Sequence, residues 1–573
     1  MASQTAYLSP LDQYMPRIPV VIYLVFATSD VPSALAALQS GLDKMTDHLP
    51  FLRGFVSVPS SSHPGVATTS TTTTTTNTFE NKQQKGRIAI TYSPNDDARL
   101  TLLHLQDSLV LPPVSPSPVT SSETGAGTGE GEGEGQCTSS SNSNLNSNKF
   151  TTLQTARFPP SLFRNTFTGL LNARREALGL LSGKGDPAFA ASYAVIEGGG
   201  LVVGVAAHHA LVDGTGMAEL VKFWGVCTLA CTPTPPGGGG RGGDGEKEEE
   251  KELKSELELN LGRNTWIPRG GGDEVLRRGQ LLWDGVREKE KEGDRRGWEE
   301  LLERVRGLKV REENDEGSSP IPIPVPVPLP KGGTKLFGFD GEKLERARPK
   351  LKEASGWDEK ALSVNNILCS IMWACITRAR AARHGGKLDR PTSKLGFAIN
   401  GRRQLGREFS DRPYLGNVNI FGLPELDASA LTDIGATCHA EGDLACLLPV
   451  IEGIYGEIQR VTADHIGDVM SLMEQAPDIT KVEPNWVRSH GADLSATSWA
   501  NMGIYESDFG PLLGKPQFMR VPAFDSDGLV IIMPRRRPSE QGVAEIIEVA
   551  AILNAEDLAA LEGDDIWKSW LAC

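Results

Sequence analysis

The chain of 573 residues lacks the features that mark a membrane-spanning or secreted protein. Its N-terminus has no basic segment followed by an apolar segment, the pattern of a signal peptide. The apolar run from Pro19 to Ala27 has nine residues, whereas a membrane-spanning helix needs about 20. No other run reaches that length, so we expect a cytoplasmic protein with no membrane partner.

The chain also has little that points to nucleic acid or metal ions. The formal net charge is −15, and no basic stripe of the kind that binds nucleic acid is present. The eight cysteines include no Cys-x-x-Cys pair, and no His/Cys cluster has the spacing of a zinc site. We therefore predict an intracellular chain with reduced thiols, no metal site and no nucleic-acid partner.

Several stretches of low complexity divide the sequence. The segments at about 60–78 and 112–148 are rich in Ser, Thr, Gly and Glu, and they contain too little apolar surface to offset the entropy of ordering. A third, longer stretch at 226–334 combines Gly, charged residues and a Pro-alternating run. We interpret the first two as disordered insertions in an N-terminal lobe, 1–225. The third is a predicted crossover linker before a C-terminal lobe, 335–573.

The remaining sequence alternates strand-like and helix-like segments, which predicts an α/β fold. Continuous apolar runs indicate buried strands at 19–27 and 201–207, and a terminal pair of strands at 528–533 and 546–552. Apolar residues at helical spacing predict helices at 31–45, 216–224, 364–380 and 555–570.

The segment His208-His209-Ala210-Leu211-Val212-Asp213-Gly214 follows a predicted buried strand. A side chain at the carboxyl end of such a strand projects into the crevice where α/β proteins bind ligands. A neutral imidazole can accept a proton near pH 7, so His209 is a candidate general base and His208 a residue that shapes the turn. Asp213 could polarise His209, or it could pair with an arginine and hold the turn. Gly214 would let the backbone turn tightly.

These residues resemble the HxxxD acyltransferases, the BAHD-type superfamily that uses acyl-CoA, and most of all the fungal trichothecene O-acetyltransferases. The likeness extends over most of the globular sequence. Besides the His209–Gly214 motif it rests on Leu8-Ser9-Pro10-Leu11-Asp12-Gln13, Leu49-Pro50-Phe51-Leu52-Arg53-Gly54, Ser363-Val364-Asn365-Asn366, Asn400-Gly401-Arg402, Tyr414-Leu415-Gly416-Asn417, Thr497-Ser498-Trp499 and Asp508-Phe509-Gly510.

The resemblance implies two chloramphenicol-acetyltransferase-like lobes with a channel between them. It implies that His209 deprotonates an acceptor alcohol or amine, which attacks the thioester of acyl-CoA without an acyl-enzyme. Asp213 would pair with Arg402, while Trp499 and Thr497 would lie at the oxyanion. The resemblance leaves the CoA-contacting residues unknown and implies a monomer with no tightly bound cofactor. Asp508, Phe509 and Gly510 would lie away from the chemistry and shape the lobe and the channel, and Asn417 would be a structural residue of its motif.

The sequence departs from the family pattern in two motifs. Asn400-Gly401-Arg402 stands where the family has Asp-x-Arg, and the arginine is kept. Pro511-Leu512-Leu513 stands where the family has a single Trp, which makes the loop after Asp508-Phe509-Gly510 two residues longer. Two other functions stay open. The His-His-x-x-x-Asp-Gly pattern also occurs in condensation domains, which take acyl groups from carrier-protein thioesters. The chain could also be a catalytically idle family member that binds a ligand.

Overall fold

The computed structural model describes residues 4–59, 85–93, 99–104, 149–163, 185–231, 297–311, 332–386, 388, 390–410, 414–487, 491–536 and 545–572. The predicted insertions at about 60–78 and 112–148 and most of the predicted linker lie outside these residues. Among the described residues, no helix is long and apolar enough to cross a membrane.

One of the two main sheets has five strands and is called the N-terminal sheet. It contains the two apolar runs predicted as strands, which pair antiparallel with Pro19 opposite His208. Helices Val31–His48 and Gly214–Leu229 cover one face, and they pack closely because Gly41 leaves room for Thr228. In order across the sheet, the strands are Phe518–Arg520, Pro19–Ala27, Gly200–His208, Phe189–Ile196 and Leu103–His104.

The other main sheet, the C-terminal sheet, carries the predicted terminal pair of strands, which is confirmed as antiparallel. Its core includes the helix Val364–Arg383, which is apolar around most of its circumference. In order, the strands are Gly332–Asp340, Ile546–Asn554, Leu529–Ile532, Leu494–Ser498, Thr392–Asn400 and Asn419–Gly422, with Glu425–Asp427 paired to Thr392–Asn400. The helices of this part are Gly341–Ser355, Val364–Arg383, Arg407–Ser410, Ala428–Thr437, Leu448–Arg460, Ala463–Gln475, Ala555–Gly563 and Asp565–Ser569.

Smaller elements join the two main sheets. The short helix Pro10–Gln13 and the helix Trp298–Arg304 both pack against Ala463–Gln475 in a third apolar cluster. Helix Lys149–Thr155 lies under the other face of the N-terminal sheet. A four-stranded sheet has the order Gln4–Tyr7, Ala89–Tyr92, Phe55–Ser57 and Asp186–Pro187, and Val482–Pro484 pairs with Leu308–Val310.

Two predicted elements differ from the structure. The predicted helix 555–570 is two helices, because the Asp564 side chain accepts a hydrogen bond from the backbone N–H of Trp567 and starts a new helix there. The predicted helix at 216–224 begins at Gly214 and continues to Leu229. The earlier start makes Asp213 the residue that caps the helix.

Candidate active site

The His-x-x-x-Asp-Gly motif forms the turn between a central strand of the N-terminal sheet and the helix that covers it. The strand ends at His208, and the helix begins at Gly214 with Asp213 as its N-cap. His209 is the first residue beyond the strand. The sequence therefore places the imidazole at a strand end and the carboxylate at a helix start, within the single turn 209–213.

His209 as a residue is partly exposed, and the Nδ1 atom of its ring is buried. No described residue forms a geometrically sound hydrogen bond with this Nδ1. Burial lowers the pKa of His209, and this outweighs the opposing effects of its own backbone and of Asp213. The imidazole is therefore neutral at pH 7, the state in which it can accept a proton.

The main chain of His209 is held at both of its polar groups. Its N–H donates to the Ile18 carbonyl at 2.9 Å, and its carbonyl accepts from the Asn417 side-chain amide at 2.8 Å. Asn417 comes from the C-terminal half of the chain. The backbone position of His209 thus depends on both halves.

His208 is buried, and its Nδ1 accepts the N–H of Ala210 at 3.2 Å inside the turn. Desolvation lowers the pKa of His208 to about 4. A ring nitrogen that accepts a backbone hydrogen bond must be unprotonated, which agrees with this shift. His208 therefore contributes a hydrogen bond to the turn.

Asp213 is completely buried and binds Arg402 through both carboxylate oxygens, at 2.8 and 2.9 Å. The same oxygens accept the backbone N–H of Gly216 at 2.8 Å and of Val418 at 3.1 Å. A bidentate arginine pair with further N–H donors is the arrangement that offsets the cost of burying a carboxylate. All four bonds are formed with groups other than the imidazole of His209.

Arg402 connects Asp213 to a loop of the C-terminal half. Its guanidinium also donates to the carbonyls of Tyr414 at 2.9 Å and Gly416 at 2.7 Å, and to Asn400 Oδ1 at 3.2 Å. These carbonyls lie within the Tyr414–Asn417 motif. The ion pair therefore holds the loop that carries Asn417 against the turn that carries His209.

Asn417 links His209 to a residue for which the sequence suggested no function. Its backbone N–H and its side-chain amide both donate to Asp12 Oδ1, at 3.0 and 2.8 Å. Asp12 lies in the short helix Pro10–Gln13, within the Leu8–Gln13 segment that carries part of the family likeness. The motif is the one sequence signal that could have pointed to Asp12. Its contact with Asn417 spans 405 residues, so local patterns in the sequence do not reveal it.

Trp499 and Thr497 reach the motif from the C-terminal sheet. Thr497 is the fourth residue of the strand Leu494–Ser498 and is partly exposed. The indole Nε1 of Trp499 lies 3.0 Å from the position that a Cβ on Gly214 would occupy. The structure thus brings a hydrogen-bond donor beside the start of the capped helix, and the lack of a side chain on Gly214 makes room for it.

The Asp508-Phe509-Gly510 segment packs in the core below the N-terminal sheet. Phe509 is fully buried between Phe26 and Trp224, with ring centroids 5.1 and 6.0 Å apart. Asp508 Oδ1 accepts the N–H of Gly510, which has a φ of 89°. The longer loop closes as a turn, because the N–H of Gly514 donates to the Gly510 carbonyl at 2.7 Å.

Comparisons with known proteins agree with this architecture. The model of the family described as Transferase family matches residues 334–565. The chain is 26% identical over 583 aligned residues to the trichothecene 8-O-acetyltransferase of Fusarium sporotrichioides, covering 100% of this chain and 98% of that protein. It is also 26% identical to the O-acetyltransferase ptmV of Penicillium ochrochloron, over 40% of this chain and 47% of that one.

The fold matches solved structures over the whole chain. The crystal structure of F. graminearum TRI101 with coenzyme A and deoxynivalenol aligns with a TM-score of 0.60 and 15% identity, covering 99% of this chain and 98% of that chain. The structure of apo F. graminearum TRI101 aligns with a TM-score of 0.55 and 16% identity, covering 100% and 99%.

The fold and the relatives define a two-lobed α/β acyltransferase. The resemblance predicted from the motifs is confirmed: the Transferase family model matches the C-terminal part of the chain, and the whole chain is similar to a trichothecene O-acetyltransferase.

Proposed function

We propose that this acyltransferase moves an acyl group, most simply acetyl, from acyl-CoA to a hydroxyl of a secondary metabolite, with His209 as the general base. The observation that carries the proposal is the state of His209. Its imidazole is kept neutral by burial, the residue as a whole retains partial exposure, and its main chain is fixed from both halves of the chain.

In the proposed reaction, the imidazole of His209 first accepts a proton from the acceptor hydroxyl and later donates a proton to the CoA thiolate. His209 accepts the proton of the acceptor hydroxyl while the oxygen attacks the thioester carbonyl. The tetrahedral intermediate then collapses, the carbon–sulfur bond breaks, and the imidazolium returns its proton to the CoA thiolate. The products are an ester and free CoA, and no acyl-enzyme is needed. General base catalysis of this kind contributes on the order of 10²–10⁴ to the rate.

Trp499 is the proposed donor to the negative charge that develops on the carbonyl oxygen, with Thr497 beside it. Support comes from the position of the indole N–H next to Gly214. Among the described residues, no group accepts a hydrogen bond from Trp499 Nε1. A free donor of this kind is what an oxyanion requires. Asp213 and Arg402 have a structural role in this proposal, because both carboxylate oxygens are occupied by other donors.

The donor is inferred from related proteins. TRI101 structures were solved with coenzyme A and ethyl-coenzyme A, and with the acceptors deoxynivalenol and T-2 mycotoxin. We propose that this chain also uses an acyl-CoA donor and a small-molecule alcohol or amine as the acceptor. We do not assign a particular acceptor. A monomeric, cytoplasmic enzyme remains the prediction from the sequence.

The test is mass spectrometry of reactions of the purified protein with acetyl-CoA, then longer acyl-CoAs, and a panel of hydroxylated terpenoids, polyketides and amines. We expect a product heavier by one acyl group, with turnover reduced by about 10³ in His209→Ala. His384→Ala is the matched control, because His384 is exposed at the end of the helix Val364–Arg383. It should retain full activity.

The alternatives give different results in the same assay. Product from a carrier-bound acyl thioester, and from no CoA thioester, would assign the condensation-type reaction instead. CoA binding by titration without product from any donor would favour an idle family member. Full activity in His209→Ala would refute the role of this residue.

A further inference from the structure

The buried carboxylate of Asp12 lies two hydrogen bonds away from the proposed general base. Asp12 Oδ1 accepts the side-chain amide of Asn417 at 2.8 Å, and the same Asn417 nitrogen donates to the His209 carbonyl at 2.8 Å. Asp12 and Asn417 are 5% and 0% exposed. The chain of contacts is therefore continuous and shielded from water.

The contacts leave one orientation for the Asn417 amide. Its nitrogen has two N–H groups, and the Asp12 carboxylate and the His209 carbonyl each accept one. A flipped amide would place its oxygen against two other acceptors, which is repulsive. The Asn417 oxygen is buried and forms no hydrogen bond of good geometry among the described residues, although the Asn417 side chain also acts to raise the pKa of His209 against the effect of desolvation. Asp12 supplies one of the two acceptors that select this orientation.

The other oxygen of Asp12 faces away from the site. Oδ2 accepts the backbone N–H of Ser9 at 3.0 Å and the Ser9 hydroxyl at 2.6 Å. The carboxylate thus receives four hydrogen bonds, two from the Asn417 side and two from the Ser9 side. The two sides can be perturbed separately by substitution.

The buried charge is unfavourable for folding at neutral pH. Desolvation raises the pKa of Asp12 from 3.8 to about 6, against the opposing hydrogen bonds of Ser9 and Asn417. A raised pKa adds stability below pH 3.8 that is lost as the pH rises through about 6. A side chain that only closed the short helix would not need to be a buried carboxylate.

We propose that Asp12 is a positioning residue for the acyl transfer. Through Asn417 it fixes the His209 carbonyl, and thereby the backbone that orients the imidazole toward the acceptor hydroxyl. This inference rests on the proposed function, because it assigns Asp12 a role only if His209 is the base.

The test is steady-state kinetics per folded protein for Asp12→Ala, Asn417→Ala and the double variant, with wild type measured first. We expect kcat of Asp12→Ala to fall on the order of 10- to 100-fold, since small displacements of a catalytic group have effects of this size. KM should change by less than about 3-fold, because Asp12 touches neither substrate. The double variant should match Asn417→Ala within about 2-fold, because the two residues act in series.

Two further variants separate positioning from general support of the fold. Asp12→Asn keeps an acceptor for Asn417 and should recover most of the kcat lost in Asp12→Ala. Ser9→Ala removes one donor from the far oxygen together with the Ser9 contact to Tyr414, and it should lower kcat much less than Asp12→Ala. If Asp12→Ala does not fold, Asp12→Ser replaces it, since its shorter side chain cannot reach Asn417.

The outcomes distinguish this inference from the proposed function. Wild type without acyl transfer from any CoA thioester would refute the proposed function and the inference with it. Active wild type with an unchanged kcat in Asp12→Ala would refute the inference alone. So would a double variant whose kcat loss is the product of the two single losses, because Asp12 would then act independently of Asn417.

Discussion

Two buried arginine–carboxylate pairs join the part of this protein around the N-terminal sheet to the part around the C-terminal sheet, and they differ in their other contacts. Asp213–Arg402 lies beside His209, and Arg520–Glu548 joins the strand Phe518–Arg520 of the N-terminal sheet to the C-terminal sheet. Both are bidentate, with N–O distances between 2.8 and 3.1 Å. Both arginines also donate to backbone carbonyls. The chemistry of the two junctions is therefore nearly the same.

Their surroundings are different. Asp213 caps the helix that follows the His209 turn, and Arg402 holds the Tyr414–Asn417 loop that binds the His209 carbonyl. Arg520 instead donates to the carbonyls of Arg157 and Phe158, two non-glycine residues with φ of 55° and 47°. This turn is strained, but none of its hydrogen bonds within the described residues reaches His209. Only the first junction should affect both catalysis and stability.

The largest effect is expected for Arg402→Ala. The substitution leaves the Asp213 carboxylate buried without its cation, which typically costs about 3–5 kcal/mol. It also releases the Tyr414–Asn417 loop from the His209 turn, so kcat per folded protein should fall by about tenfold or more. Chemical denaturation and kinetics on the folded fraction measure the two losses. A destabilised variant with wild-type kcat would show that the junction does not position His209.

Arg520→Ala should show the stability loss without the loss of activity. It leaves Glu548 buried with only the partly exposed Arg157 as its cationic partner, and the expected loss is again about 3–5 kcal/mol. The kcat per folded protein should stay within about 2-fold of wild type, because none of the side-chain hydrogen bonds of Arg520 reaches the His209 motif in the described part of the chain. Arg346→Ala, which breaks an exposed pair with Glu342, is the control and should change little. A large fall in kcat for Arg520→Ala would contradict the view that only the Asp213–Arg402 junction affects catalysis.

Asp213→Asn tests the first junction with a smaller change. Asparagine is also a good N-cap, so the helix start is retained while the charge opposite Arg402 is lost. We expect a loss of stability of about 1–3 kcal/mol together with lower activity from a displaced His209. Lost activity at an unchanged melting temperature would contradict the structural role and favour direct polarisation of His209.

Local patterns in the sequence predict most of the junction that lies beside His209. The apolar run at 201–207, the two histidines and the aspartate before a helical segment are contiguous, so the strand, the turn and the base candidate follow from periodicity. The pairing of Asp213 with Arg402 was predicted only through the family resemblance. Spacing alone left open whether the aspartate faces the histidine or an arginine.

The second junction could not be predicted in this way. The strand Phe518–Arg520 has three residues, too few for a periodic signal, and it joins a sheet whose other strands lie more than 300 residues earlier in the chain. Glu548 stands in an otherwise apolar strand, where only the three-dimensional structure reveals its partner. Asp12 was missed for the same reason, because its function depends on a contact with Asn417 on the other half of the chain.

The finest test of the comparison uses two glycines of one helix, one at each end. A Cβ on Gly214 would meet the flexible end of Met502 at 2.2 Å and Trp499 Nε1 at 3.0 Å. The Met502 side chain can move aside, but the indole of Trp499 must shift from its position. A Cβ on Gly225 would meet the Asp508 carbonyl at 2.8 Å, and moving this backbone group costs more free energy than moving a flexible side chain. Gly214→Ala should therefore lower kcat about tenfold with little change in stability. Gly225→Ala should lose about 1–3 kcal/mol with kcat per folded protein unchanged. Both variants add one methyl group to the same helix, so they differ mainly in whether the indole is displaced. An equal change in kcat for Gly214→Ala and Gly225→Ala would therefore mean that the Trp499 indole does not act at the site.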